Sequence, residues 1–209
     1  MKIYLLLLIL GFTVILSAAN VQALFIIPDN YGANYYCYLE TCSKMGWQIT
    51  TAAVSEVVTP CPNYAGLLGC GNVTVDALIS EINDPGEYDC IMLMSSTSVS
   101  GNPCYDLLND VDTLVLLGLA DAEDVVIWAG CSAIRVLASA GLVNGVNVQC
   151  PTSYNGELTA AGANIVGSKI PPVIDGNIVT TMRGQYYTSQ NIFAILTAMS
   201  ALNNEEVRK

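Results

Sequence analysis

Short apolar runs alternate with longer amphipathic stretches along most of the chain. Apolar runs rich in β-branched residues read as strands. Stretches with apolar positions three and four apart read as helices. The pattern predicts a strand over residues 24–27, ended by Pro28-Asp29-Asn30, and a helix over 33–45 that stops at Gly46. A second strand covers 48–53, residues 75–82 fit either element, and a third strand covers 90–94 after the turn Asp84-Pro85-Gly86. Asn102-Pro103 opens a helix running to Leu117, with Pro103 suited to the first turn. Strands follow over 125–129 and 146–150, then a short helix over 156–163. Residues 173–175 and 178–181 flank Gly176-Asn177 as a hairpin, and 189–202 form a closing amphipathic helix.

Continuously apolar strands separated by helices indicate a mostly parallel sheet covered on both faces. The expected fold class is therefore α/β, a three-layer sandwich of the flavodoxin-like kind. Ligands in such sheets sit beyond the carboxyl ends of the strands. The connections 28–34, 95–101, 130–133 and 150–154 are expected at that edge. Nothing suggests an internal repeat, a low-complexity linker or a second domain.

One of these connections carries candidate chemistry. Residues 125–141 read VVIWAGCSAIRVLASAG, a buried strand, a run of small residues around Cys131, then a helix that stops at a glycine. A cysteine on such a strand-to-helix turn can be a nucleophile elbow, with the following helix N-terminus expected to lower its pKa. The same residues also fit a small buried cysteine at a strand end.

Charge and composition narrow the function. Seven basic residues face 18 acidic ones, for a net charge of −11, with no basic cluster. That balance argues against nucleic acid as a partner. The chain contains no histidine, which excludes Ser-His-Asp and Cys-His pairs and leaves no expectation of a zinc site, another metal or a cofactor. Met1-Lys2, an apolar run to Leu16 and Ser17-Ala18-Ala19 read as a secretory signal peptide over residues 1–19, cleaved after Ala19, with an uncleaved anchor as the alternative. The protein is accordingly expected to be exported. Residues 20–203 then form one domain, with a tail over 204–209. Eight cysteines in an exported chain argue for disulfides, and Cys61 with Cys70 is the most secure expected pair.

The ordered motifs resemble the ThiJ/PfpI family, the DJ-one superfamily, which shares its fold with class I glutamine amidotransferases. CSAIRVLASAGLVNG from Cys131 to Gly145 looks like that family's nucleophile cysteine, helix and "AGLL-x-G" ending. Residues 24–29 resemble its first strand, and Tyr88-Asp89 to Met94 its "YD-x-hydrophobic" strand. Ala160-Ala161-Gly162-Ala163 resembles "AGA", residues 173–180 "VVDGNLIT", and Arg183-Gly184 "SRG". The resemblance spans residues 22–202 and implies a homo-oligomer.

Departures from the family pattern fall around the cysteine. Ser132 stands where many members have histidine, and the acidic residue that hydrogen-bonds the thiol falls near Asn34. The Gly-Gly whose amides contribute to an oxyanion hole is Ser95-Ser96, and Cys150 replaces a histidine before Pro151. The candidate catalytic residues are thus Cys131, Ser132 and Asn34, with Ser95, Ser96, Gly130 and Ser132 around a ligand pocket. General acid–base catalysis is typically worth about 10²–10⁴-fold, and no imidazole is present to supply it. Three readings stay open. The favoured one is a divergent or non-catalytic domain that binds a small molecule or peptide. The others are a Cys131-dependent hydrolase or glyoxalase-like enzyme, and a thiol redox protein pairing Cys131 with Cys150 at adjacent strand ends.

Overall fold

The computed structural model describes residues 20–63, 65–66, 70–96, 102–167, 171–183 and 187–206. The expected signal peptide and most of the 95–101 connection lie outside these residues. In chain order the elements are β1 (Gln22–Ile26), α1 (Asn34–Lys44), β2 (Gln48–Ala53), β3 (Val57–Val58), β4 (Val73–Thr74), β5 (Ala77–Leu78) and β6 (Cys90–Leu93). They continue with α2 (Tyr105–Leu108), α3 (Val111–Ala122), β7 (Val126–Gly130), α4 (Ile134–Ser139), β8 (Asn147–Val148) and α5 (Asn155–Ala160). The last are β9 (Asn164–Ile165), β10 (Val173–Asp175), β11 (Ile178–Thr181) and α6 (Thr188–Glu206).

Seven strands form one sheet in the order β10-β11-β7-β6-β1-β2-β5. Every neighbouring pair is parallel except the β10–β11 hairpin. The pleat sends alternate residues of each central strand to opposite faces. Leu24, Ile26, Ile91, Leu93, Ile127 and Ala129 join Leu116, Leu117, Ile134 and Leu137 in one core. Ala23, Phe25, Met92, Val126 and Trp128 join Tyr35, Tyr38, Ile192 and Ile195 in the other. Burial on both faces is why these strands read as unbroken apolar runs rather than as alternations. Cys90 is part of the second core, as its place inside an apolar strand implies. Gly46 closes α1 at φ 84, a left-handed position that favours glycine, and Trp47 N–H donates back to Cys42 O at 3.1 Å.

The structure corrects three boundaries. The helix expected over 102–117 is two helices, α2 and α3. Asp110 takes an extended backbone between them, and its carboxylate accepts from Thr113 N–H at 2.8 Å and Thr113 Oγ1 at 2.7 Å. The ambiguous 75–82 segment divides into β5 and a 3₁₀ turn, Ile79–Glu81. The strand expected over 146–150 shortens to β8 and lies outside the main sheet, paired in parallel with β9. Side chains tie it to the hairpin instead: Asp175 accepts from Asn147 N–H at 2.7 Å, and Thr180 Oγ1 accepts from Gln149 N–H at 2.9 Å.

Candidate functional site

Three connections from the carboxyl edge of the sheet converge at Cys131. β7 ends in extended backbone at Gly130 (φ −111, ψ 142), and the chain reverses into a 3₁₀ turn, Cys131–Ala133, followed by α4. Cys131 itself sits in the left-handed region at φ 55. Gly130 is required beside it, because a Cβ there would lie 2.6 Å from Trp128 Cη2. The Trp128 ring is fixed in turn against Tyr38, with centroids 4.6 Å apart.

The electrostatics at Cys131 differ from the expectation of a lowered pKa. Burial pushes the half-buried thiol above its ordinary value. The Ser132 N–H donated to its sulfur and the nearby exposed Arg183 guanidinium only partly offset this. The helix behind the turn has six residues, so its dipole and free N–H groups give little help.

The Ser132 side chain is engaged away from the thiol. Its buried hydroxyl donates to Ser96 O at 2.8 Å and touches Cys104 Sγ at 3.6 Å. Ser96 Oγ accepts from Cys104 N–H at 2.6 Å and donates to Cys104 Sγ at 3.6 Å. Ser95 O accepts from Gly32 N–H at 2.9 Å. Ser95 and Ser96 thus join the site through their carbonyls, which lock the β1 and β7 connections onto the β6 connection. Asn34 begins α1, fully buried, and its amide donates to Met94 Sδ at 3.7 Å. Its Oδ1 has no partner among the described residues.

The expected disulfides are not formed, and all eight cysteines are free thiols, including Cys61 and Cys70. The described residues flanking the segment between them instead meet Tyr31. Cys61 N–H donates to Tyr31 O at 2.9 Å, and the Tyr31 hydroxyl donates to Gly71 O. Tyr31, Tyr35 and Tyr36 pack ring against ring. Cys131 and Cys150 do not occupy adjacent strand ends, because β8 has left the main sheet and the neighbours of β7 are β6 and β11. Cys150 Sγ is turned to Asn155 Oδ1 at 3.3 Å.

The sequence marks Cys104 only as the start of the helix after the Ser95 connection and a conceivable bridge partner of Cys37, and both are free thiols. Asp106 and Arg135 escape notice there because they fall inside expected helices. Asp106, half-buried, accepts from Asp29 N–H at 2.7 Å, and desolvation raises its carboxyl above the usual range. Asp29 accepts from Thr59 N–H at 3.0 Å and Thr59 Oγ1 at 2.7 Å. Arg135 Nε pairs with both Glu157 oxygens at 2.8 and 2.9 Å. Its Nη1 donates to Asn102 Oδ1 at 2.7 Å and Pro103 O at 3.0 Å. The guanidinium also stands 5.4 Å from the centroid of the Tyr154 ring. This clamp holds the segment leading to Cys104 against the helix that follows Cys131. The Asn-Pro-Cys sequence was the only visible signal of it.

A three-layer α/β sandwich with a left-handed cysteine at the end of a central parallel strand defines a recognisable class. The DJ-1/PfpI family profile matches residues 22–198, and the chain belongs to that family. Comparison with curated proteins finds no match. Among solved structures, a ThiJ/PfpI domain protein from Brachyspira murdochii is similar at TM-score 0.69 and 21% identity, over 88% of this chain and 96% of that one. Drosophila melanogaster DJ-1beta is similar at 0.67 and 18%, over 88% and 90%. Oxidized DJ-1 from Toxoplasma gondii is similar at 0.65 and 20%, over 89% and 92%. At these identities the likeness is one of fold, the class I glutamine amidotransferase-like sandwich.

Proposed function

We propose that this chain is an exported, divergent DJ-1/PfpI domain that binds a small ligand at the Cys131 edge and does not turn over amide substrates. The observation that carries this reading is the Cys131 thiol, which burial holds above its ordinary pKa in a chain without histidine. Amide hydrolysis needs a thiolate or an adjacent base, and neither is supplied near neutral pH. Ser132, in the place of the family's histidine, spends its hydroxyl on Ser96 O. Asn34, near the place of the acidic residue, directs its amide to Met94. Arg183 gives the thiol a positive field, which favours an anionic ligand beside it.

The test uses the purified full chain. Iodoacetamide should modify Cys131 appreciably only at alkaline pH, and glyoxylate should slow that reaction. A fluorogenic peptide amide should remain intact. Peptide cleavage that disappears in Cys131→Ala would overturn the reading in favour of a cysteine hydrolase. N-terminal sequencing of the secreted protein checks export, with Asn20 as the expected first residue.

A further inference from the structure

Four residues other than glycine adopt a left-handed backbone among those described: Asn30, Cys104, Asp124 and Cys131. Asn and Asp tolerate that region because their short polar side chains bond locally. A cysteine has no such compensation, so the backbone is strained there. Both strained cysteines belong to the same site. Cys131 is at φ 55 after β7, and Cys104 is at φ 58 before α2.

Ser132 contacts both cysteines. Its backbone N–H donates to Cys131, and its hydroxyl lies 3.6 Å from Cys104 Sγ. The Tyr154 ring feels both thiols, and the Arg135 clamp beside it fastens Asn102 and Pro103, just before Cys104. The two cysteines differ in access. Cys131 is half-buried and within reach of solutes, whereas Cys104 is 1% exposed. Strain, a shared neighbour in Ser132 and unequal access suit a dithiol pair in which one sulfur meets an oxidant and the other responds internally.

We propose that Cys131 and Cys104 form a dithiol–disulfide couple, with Cys131 as the outer thiol, Cys104 as its resolving partner and a small-molecule disulfide as oxidant. The Cys131 thiolate attacks one sulfur of the external disulfide. Its S–S bond breaks, the first thiolate leaves, and a mixed disulfide forms on Cys131. Cys104 gives up its proton through solvent to the thiolate released in the first step and attacks the Cys131 sulfur. The mixed disulfide breaks, the second thiolate leaves, and the Cys104–Cys131 bond forms. Two electrons pass to the oxidant, and the two protons of the cysteines end on the released thiols.

The test equilibrates the reduced full chain with mixtures of reduced and oxidised glutathione, alkylates the remaining thiols and maps the linked peptides by mass spectrometry. A Cys104–Cys131 peptide should accumulate in the wild type and in Cys150→Ser. Cys104→Ser should lose the bridge and carry glutathione on Cys131. Cys131→Ser should lose both bridge and adduct. A wild type that keeps glutathione on Cys131, pairs Cys131 with Cys150, or stays reduced throughout overturns the proposal. Because the wild type alone decides between these outcomes, a variant that fails to fold does not obscure them. The mapping is also independent of the ligand and turnover assays, so failure of one reading leaves the other standing.

Discussion

A β-carbon at position 131 has to be carried at φ 55, and the strain exists whether or not the sulfur reacts. Replacing Cys131 with alanine keeps the strained backbone, whereas glycine removes the steric conflict. Cys131→Gly should therefore be more stable than Cys131→Ala by about 1 kcal/mol, the reverse of their order at an ordinary buried position. Urea denaturation of the two variants measures this, and alanine proving equal or better would refute a strained turn. The charge around the sulfur gives a second expectation. Arg183 holds the Cys131 thiol down against the upward pull of burial. Arg183→Ala should move the midpoint of Cys131 alkylation to higher pH, and an unmoved midpoint would show that the guanidinium does not act on the thiol.

The elements differ in how openly the sequence announces them. β2 and the β10–β11 hairpin follow their expected bounds, because Gly46, Gly176 and Asn177 punctuate apolar runs at the places where the chain turns. β8 did not, because its neighbours are chosen by Asp175 and Thr180 side chains that accept from Asn147 and Gln149, a preference no local pattern records. The turn at Cys131 was legible from its small residues, while the Cys104 contact was not. That contact joins sulfur and hydroxyl across 28 positions, and the separation of α2 from α3 was equally hidden. The separation itself rests on Asp110. Its carboxylate caps Thr113, so Asp110→Ala should cost about 1 kcal/mol. It should also loosen α2 and speed alkylation of Cys104. Unchanged stability would mean that α3 starts without the cap.

Across the whole molecule, the absence of histidine and the burial of thiols set the response to pH. Burial raises seven cysteines above the ordinary thiol value, with Cys42 pushed up to about 12. Tyr31, Tyr38 and Tyr154 are also raised, and Tyr35 is pushed up to about 12. A group whose folded pKa exceeds its unfolded value contributes stability that is complete below the unfolded pKa. That contribution is lost as pH rises through the folded one. For the cysteines the loss begins near the free-thiol value of about 8.5, and for the tyrosines near about 10. Asp106, also raised, acts in the same direction in the acid range, where its protonated form favours the folded state. With no imidazole to titrate in between, stability should be nearly level from about pH 6 to 8 and then fall steeply as unfolded thiols ionise ahead of folded ones. Denaturant midpoints from pH 6 to 11, taken with a reductant present throughout, measure the slope. The proton release on unfolding that this slope implies should exceed one per molecule at the alkaline end, because several buried thiols contribute together. A level profile up to pH 10 would show that these sulfurs reach water more readily than their packing between the sheet and its helices allows.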